Sequence, residues 1–181
     1  MTERILTDRL EIAPVDEKVT EEISARNTGD GIDKYLESLS KEEIVEVFSD
    51  MDAVKAVMAR MTATKSAPRS YSYGAWRDKE LIGFTTLLEC GDGVWEVQVE
   101  LAPEYQHKGY GYEFLSHLIP EMLAADDIKC LRYTVVPSNK ASIALVEKLG
   151  AELQEPKTQA EKILLKTYMI RSNGQHGSEK I

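Results

Sequence analysis

Gln106-His107-Lys108-Gly109-Tyr110-Gly111 stands between a strand-like run and a helix-like run, and that placement decides how the rest of the chain is read. Before it, Trp95-Glu96-Val97-Gln98-Val99-Glu100-Leu101 alternates strictly. Trp95, Val97, Val99 and Leu101 fall on one face of an extended strand, and Glu96, Gln98 and Glu100 fall on the other. Pro103 ends that run. After it, Phe114, Leu115, Leu118, Met122 and Leu123 have helical spacing. A strand-to-helix turn of this kind gathers unpaired backbone N–H groups at the positive end of the helix dipole. Such a turn is a ready site for phosphate oxygens. Glycine at 109 and 111 is expected to let a diphosphate lie against bare backbone. By itself, the hexapeptide fits equally well a chain that simply turns.

The flanking segments extend an α/β pattern. Residues 9–14 alternate as a first strand, and 16–24 form a short helix. Asn27, Gly29, Asp30 and Gly31 signal a loop. Ser40 and Glu43 have capping-box spacing and open a helix containing Ile44, Val45, Val47 and Phe48. A further helix spans 50–61. Strands at 71–76 and 81–88 are joined by a turn at Asp78-Lys79-Glu80, and Gly91-Asp92-Gly93 makes the next turn. Pro120 conflicts with its helical surroundings and predicts a kink or an early helix end. A strand at 130–136 precedes a helix capped by Ser138 or Asn139 and closed by Gly150. Strands at 151–154 and 163–170 are expected to form a terminal hairpin. The order predicts an α/β (α+β) architecture with a mixed sheet. It predicts one domain over residues 1–171 and a flexible tail at 172–181.

Composition narrows the function. The chain has 181 residues, enough for one well-filled core and thin for two. A net charge of −9 argues against DNA, RNA or an anionic membrane as the main partner. Cys90 and Cys130 make neither a disulfide framework nor a metal site, and both sit by apolar runs as buried thiols would. His107, His117 and His176 lack metal-ligand spacing, so no metal is expected. No apolar run reaches membrane-span length, and the first residues lack a secretory core, which leaves the cytoplasm as the default setting.

A second motif follows the next strand. Val136-Pro137-Ser138-Asn139-Lys140-Ala141-Ser142 leads into Ile143-Ala144-Leu145-Val146-Glu147-Lys148-Leu149-Gly150. With these two motifs in order, residues 71–154 resemble the GNAT N-acetyltransferase superfamily. The stretch from Leu101 to Gly111 looks like its pyrophosphate-binding motif, and 139–150 looks like the segment that follows it. Thr7-Asp8-Arg9-Leu10 is similar to the N-terminal signature of the ribosomal-protein acetyltransferase (RimJ/RimL) branch. The resemblance implies a twisted, mostly antiparallel sheet of six to seven strands with helices on both faces. It implies acetyl-CoA as co-substrate, with its pantetheine arm between splayed strands at 95–101 and 130–136. Gln106, Gly109 and Gly111 match the motif and would meet the diphosphate through main-chain N–H groups. His107, Lys108 and Tyr110 fill the variable positions, where their amides can add to the cradle. Lys108 could place a charge on a phosphate or simply be solvated. Val99, Leu101, Asn139 and Ser142 complete the implied cofactor-binding set. An amine-bearing small molecule or peptide would be the partner, and the protein a monomer or homodimer.

Acetyl transfer to an amine requires that the amine be neutral and that the departing thiolate be protonated or stabilised. Glu96 and Glu100 share the polar strand face, and either could serve as base or amine binder. Each is equally an ordinary residue of a half-exposed strand. Many members of the superfamily carry a tyrosine seven residues after the asparagine, and here that position is Val146. Ser142 is then the candidate acid, or else a small residue that permits close packing. Neither cysteine lies in a loop beside a base, so direct attack is expected rather than a covalent acyl-enzyme. The acceptor could be a protein N-terminus, a lysine, a polyamine or a small metabolite, selected by residues 16–63 and 151–170. The absent tyrosine supports an alternative, a CoA-binding regulatory or interaction module with reduced chemistry. A dinucleotide-binding oxidoreductase fits poorly, because G-x-G-x-x-G order is lacking.

Overall fold

The alternation at 95–101 becomes the strand around which the sheet is organised. A computed structural model describes residues 3–26, 32–61 and 67–172. Its elements in chain order are β1 (Ile5–Leu6), β2 (Glu11–Pro14), α1 (Glu17–Arg26), α2 (Ile32–Glu37), α3 (Lys41–Phe48), α4 (Met51–Met61), β3 (Ser70–Arg77), β4 (Glu80–Glu89), β5 (Val94–Leu101), α5 (Tyr110–Leu123), β6 (Cys130–Val135), α6 (Lys140–Lys148), β7 (Glu152–Leu153), α7 (Gln159–Leu164) and β8 (Lys166–Arg171). They form one eight-stranded sheet in the order β1-β2-β3-β4-β5-β6-β8-β7. Every neighbouring pair is antiparallel except β5 and β6, which run parallel. The count exceeds the expected six to seven because β1 and β7 are two-residue strands too short to leave a periodic signal.

The faces sort as the alternation requires. Trp95 and Val97 are buried with Phe114, Leu115, Leu118 and Met122 of α5, and with Leu131, Tyr133 and Val135 of β6. Each such side chain contributes about 1.5–3 kcal/mol of burial. On the opposite face, Ile23 of α1 packs with Phe84 and Ala102. Phe84 lies directly across from Glu100, so α1 covers the side of the sheet that bears the strand glutamates. A second cluster joins Val47, Val57, Val136, Leu164 and Leu165.

Local signals held where the chemistry is local. Ser40 accepts a hydrogen bond from Glu43 N while Glu43 returns one to Ser40 N, a complete capping box. Asp78 and Lys79 both take positive φ (51° and 70°), as a two-residue hairpin turn demands. The loop signal at 27–31 and the tail from 173 lie outside the described residues.

Several expectations are corrected. The α5 helix runs through Pro120 to Leu123. Pro120 is exposed and sits near the C-terminal end, so few intrahelical bonds are at stake. The terminal hairpin exists, but β8 starts at Lys166, and Ile163 and Leu164 belong to α7. Thr158 caps that helix by accepting from Glu161 N at 3.1 Å. Thr158-Gln159-Ala160-Glu161 is the capping sequence that announces it. Cys90 is exposed, whereas Cys130 is buried.

Candidate functional site

β5 and β6 pair over only three positions: Val94 with Cys130, Trp95 with Leu131, and Glu96 with Arg132. Both strands continue beyond that point, each held on its outer side. β5 stays paired with β4 as far as Leu101, and β6 stays paired with β8 as far as Val135. The two parallel strands therefore part, leaving a wedge walled by residues 97–101 and 133–135. Among the described residues, backbone N–H and C=O groups along these inner edges have no strand partner. A narrow, extended, amide-bearing ligand can take the place of the missing ladder.

At the closed end of the wedge lie Glu96 and Arg132. Glu96 is 3% exposed, and its carboxylate accepts from Arg132 Nε in a short ion pair. Arg132 Nη2 also reaches Cys90 Sγ at 3.2 Å. Burial alone would lower the Arg132 pKa, but the Glu96 charge and hydrogen bond outweigh it and hold it raised. Glu96 is thus committed to a charge partner at the vertex. Glu100 lies four residues further along the same face, on the open part of the wedge, and is half-buried. Across the gap, Thr134 presents a buried hydroxyl that has no hydrogen-bond partner among the described residues. Val99 and Leu101 point to the other face and pack against the main core.

The glycine loop closes the open end. After β5, a single turn of 3-10 helix (Pro103–Tyr105) leads to Gln106, whose Nε2 donates to Leu101 O at 2.9 Å. His107 takes φ 57° and Gly109 takes φ 82°, so the chain folds sharply over Lys108. Gly109 is the N-cap of α5 and offers no side chain to its first turn. Glu113 N bonds to Gly109 O at 3.1 Å. Among the described residues nothing accepts from the N–H groups of Tyr110, Gly111 and Tyr112. These amides, at the positive end of a helix spanning Tyr110–Leu123, can receive an anion.

The two glycines play different parts. The φ of Gly109 is one that side-chain-bearing residues rarely adopt. Gly111 has ordinary helical geometry, and a Cβ there would lie 3.4 Å from Leu145 Cδ2 and 3.5 Å from Leu101 Cδ1. Its missing side chain faces α6 and β5, where a methyl would meet Leu145 and Leu101 at ordinary contact distances.

Asn139 N-caps α6, accepting from Ser142 N at 3.0 Å. Ser142 is half-buried and neighbours the phenol of Tyr133, which lies on β6 just past the last paired position. Burial raises the Tyr133 pKa and the Ser142 hydroxyl lowers it in part, with the Glu96 charge adding to the rise. Val146 is fully buried in the main core and takes no part in the wedge.

The Thr7–Leu10 turn also reaches this region, although its motif carried no assigned role. Arg9 Nε donates to Glu113 Oε2 at 2.6 Å, and Arg9 Nη1 donates to Lys108 O at 3.2 Å. Arg9 and Lys108 stand 99 positions apart, beyond what local spacing can reveal. Tyr133 was likewise missed, because its strand pattern marks it only as core.

A family model described as the acetyltransferase (GNAT) family matches residues 34–151. No protein of curated function matches the sequence. Solved structures of similar fold include RimL, a ribosomal alpha-N-protein acetyltransferase in complex with coenzyme A. It has a TM-score of 0.60 and 15% identity, covering 93% of this chain and 98% of that one. Another is spermidine N-acetyltransferase from Vibrio cholerae in complex with CoA and spermine. It has a TM-score of 0.60 and 16% identity, covering 91% of this chain and 96% of that one. Identities this low establish a shared fold.

Proposed function

Since the chain belongs to the acetyltransferase (GNAT) family, we propose that the β5–β6 wedge is where its acetyl donor meets its amine acceptor. The chain is an acetyl-CoA-dependent N-acetyltransferase acting on a primary amine. The observation that carries the site assignment is the early end of β5–β6 pairing beside an uncapped helix N-terminus. An extended pantetheine arm suits the unpaired strand edges, and a diphosphate suits the free amides of 110–112. Gln106, His107, Lys108 and Gly109 shape that cradle, Val99 and Leu101 flank the arm, and Asn139 and Ser142 close it. Acetyl-CoA supplies an activated thioester.

Two protons must move. Glu100 takes the proton of the amine, directly or through water. Glu96 is less suited to this role, because losing its charge would strand Arg132. It instead holds the vertex of the wedge. The Ser142 hydroxyl steadies the leaving thiolate with a hydrogen bond, and the thiolate takes its proton from water.

The acceptor is a protein N-terminus, a lysine, a polyamine or a small amine metabolite. The spermine held by one structural neighbour and the protein substrate named for another bracket that range. We also take residues 1–171 as one catalytic unit, cytoplasmic and monomeric or homodimeric. A panel of amines and peptides with acetyl-CoA, read by thiol release, tests the activity. With a productive amine, Glu100→Gln should lower kcat by about 10²–10⁴-fold while acetyl-CoA binding holds. Full kcat in that variant would remove Glu100 from the mechanism.

A further inference from the structure

The Thr7–Leu10 turn is built to deliver one side chain. Thr7 N donates to Leu10 O, and Leu10 N donates to Thr7 Oγ1, each at 2.9 Å. The closed turn projects Arg9 onto the start of α5. There the Glu113 carboxylate accepts from Thr7 Oγ1 at 2.5 Å, from Arg9 N at 2.9 Å and from Arg9 Nε at 2.6 Å. Arg9 Nη1 donates to Lys108 O, the carbonyl just before Gly109. The guanidinium lies 4.4 Å from the centre of the Tyr110 ring. Arg9 Nη2 stands 3.5 Å from where a Cβ on Gly109 would be, with no acceptor among the described residues. One guanidinium therefore bonds Lys108 and Glu113, lies over the Tyr110 ring and stands beside Gly109.

The electrostatics make this placement consequential. A carboxylate in the first turn suits the helix dipole but opposes any anion bound at the same terminus. Glu113 is held ionised: burial raises its pKa, but the Thr7 and Arg9 hydrogen bonds and the Arg9 charge outweigh burial and leave it lowered. Without Arg9, an acidic chain of net charge −9 would present a bare carboxylate beside its phosphate cradle. With Arg9, that charge is cancelled and one nitrogen of the guanidinium is left over on the loop side.

We propose that Arg9 is part of the acetyl-CoA diphosphate site: it neutralises Glu113, fixes the Lys108–Gly109 peptide and offers Nη2 to a phosphate oxygen. The proposal rests on the loop reading above. Tyr110 is also gripped by Arg77, whose Nη1 donates to the Tyr110 hydroxyl, so removing Arg9 leaves that ring anchored.

The test is calorimetric titration of the full chain with CoA and with acetylpantetheine, which lacks the diphosphate. Arg9→Ala should weaken CoA binding at least tenfold and leave acetylpantetheine binding within twofold. Adding Glu113→Gln to Arg9→Ala should recover at least threefold of the lost affinity. In turnover, the KM for acetyl-CoA should rise while kcat and the acceptor KM hold. Arg9→Lys, which keeps the charge but not the fork, should fall between, and it stands in if Arg9→Ala does not fold. CoA affinity within twofold of wild type, or equal loss of both ligands, would overturn the proposal. If the wild type itself shows no preference for CoA over acetylpantetheine, the loop reading fails first.

Discussion

Gly109 and Gly111 share a motif, yet alanine should affect them in opposite directions. At Gly109, φ is 82°, and an L-residue there costs about 1–2 kcal/mol. For a domain of this size each kcal/mol shifts Tm by roughly 2–4 °C, so Gly109→Ala should melt about 2–8 °C lower. Relief of that strain would turn the loop and redirect the amides of 110–112, so CoA affinity should fall as well. Losing one charge-assisted hydrogen bond of about 1.5–3 kcal/mol corresponds to roughly 10- to 150-fold in Kd. At Gly111 the backbone is helical, and the new Cβ would sit 3.4–3.5 Å from Leu145 and Leu101, ordinary contact distances. Helix propensity then favours alanine by about 0.5–1 kcal/mol, and Gly111→Ala should melt about 1–4 °C higher. Its CoA affinity should stay within about threefold, because the methyl points at α6 and β5. Scanning calorimetry and CoA titration of the two variants measure all four quantities. If Gly109→Ala is as stable as wild type, or if Gly111→Ala loses CoA affinity about tenfold, the roles assigned to the two glycines are wrong.

Two further outcomes follow from the ion pairs. Arg132→Ala would strand the Glu96 carboxylate, which is 3% exposed, and should cost about 3–5 kcal/mol in urea unfolding, while Glu96→Leu with Arg132→Met should regain most of it; an unchanged urea midpoint for Arg132→Ala would show that the pair does not anchor the vertex. Glu113 and Glu161 both sit below the ordinary value of 4.5, because hydrogen bonds from Thr7 and Arg9, and from Lys157 and Arg60, outweigh burial. A lowered carboxylate stabilises the fold above its unfolded pKa and loses that contribution as pH falls through its folded value. Tm should therefore hold down to about pH 4.5 and then drop more steeply in the wild type than in Arg9→Ala, as pH-dependent melting will show.

What could be read in advance was what neighbouring residues decide among themselves. The Trp95 to Leu101 alternation, the Ser40 capping box and the glycine loop before α5 each express a backbone geometry set within one or two turns of chain. The Thr158 cap carried the same kind of signal and was overshadowed by the β-branched and apolar run after it. Short strands such as β1 and β7 carry no period at all, since two residues cannot alternate.

The sequence by itself determined the glycine turn before α5, because the free amides of a strand-to-helix turn come from consecutive residues. Only the tertiary structure decided what surrounds that turn. Glu96 and Glu100 look alike on their strand until β6 brings Arg132 against the first and diverges before the second. Val146 occupies the place of a familiar tyrosine, and it took the β6–α6 packing to bring Tyr133 to Ser142. Arg9 meets Glu113 across 104 positions. Such partners are chosen by where a sheet stops pairing and how a helix docks, and these depend on the whole set of contacts rather than on any local spacing.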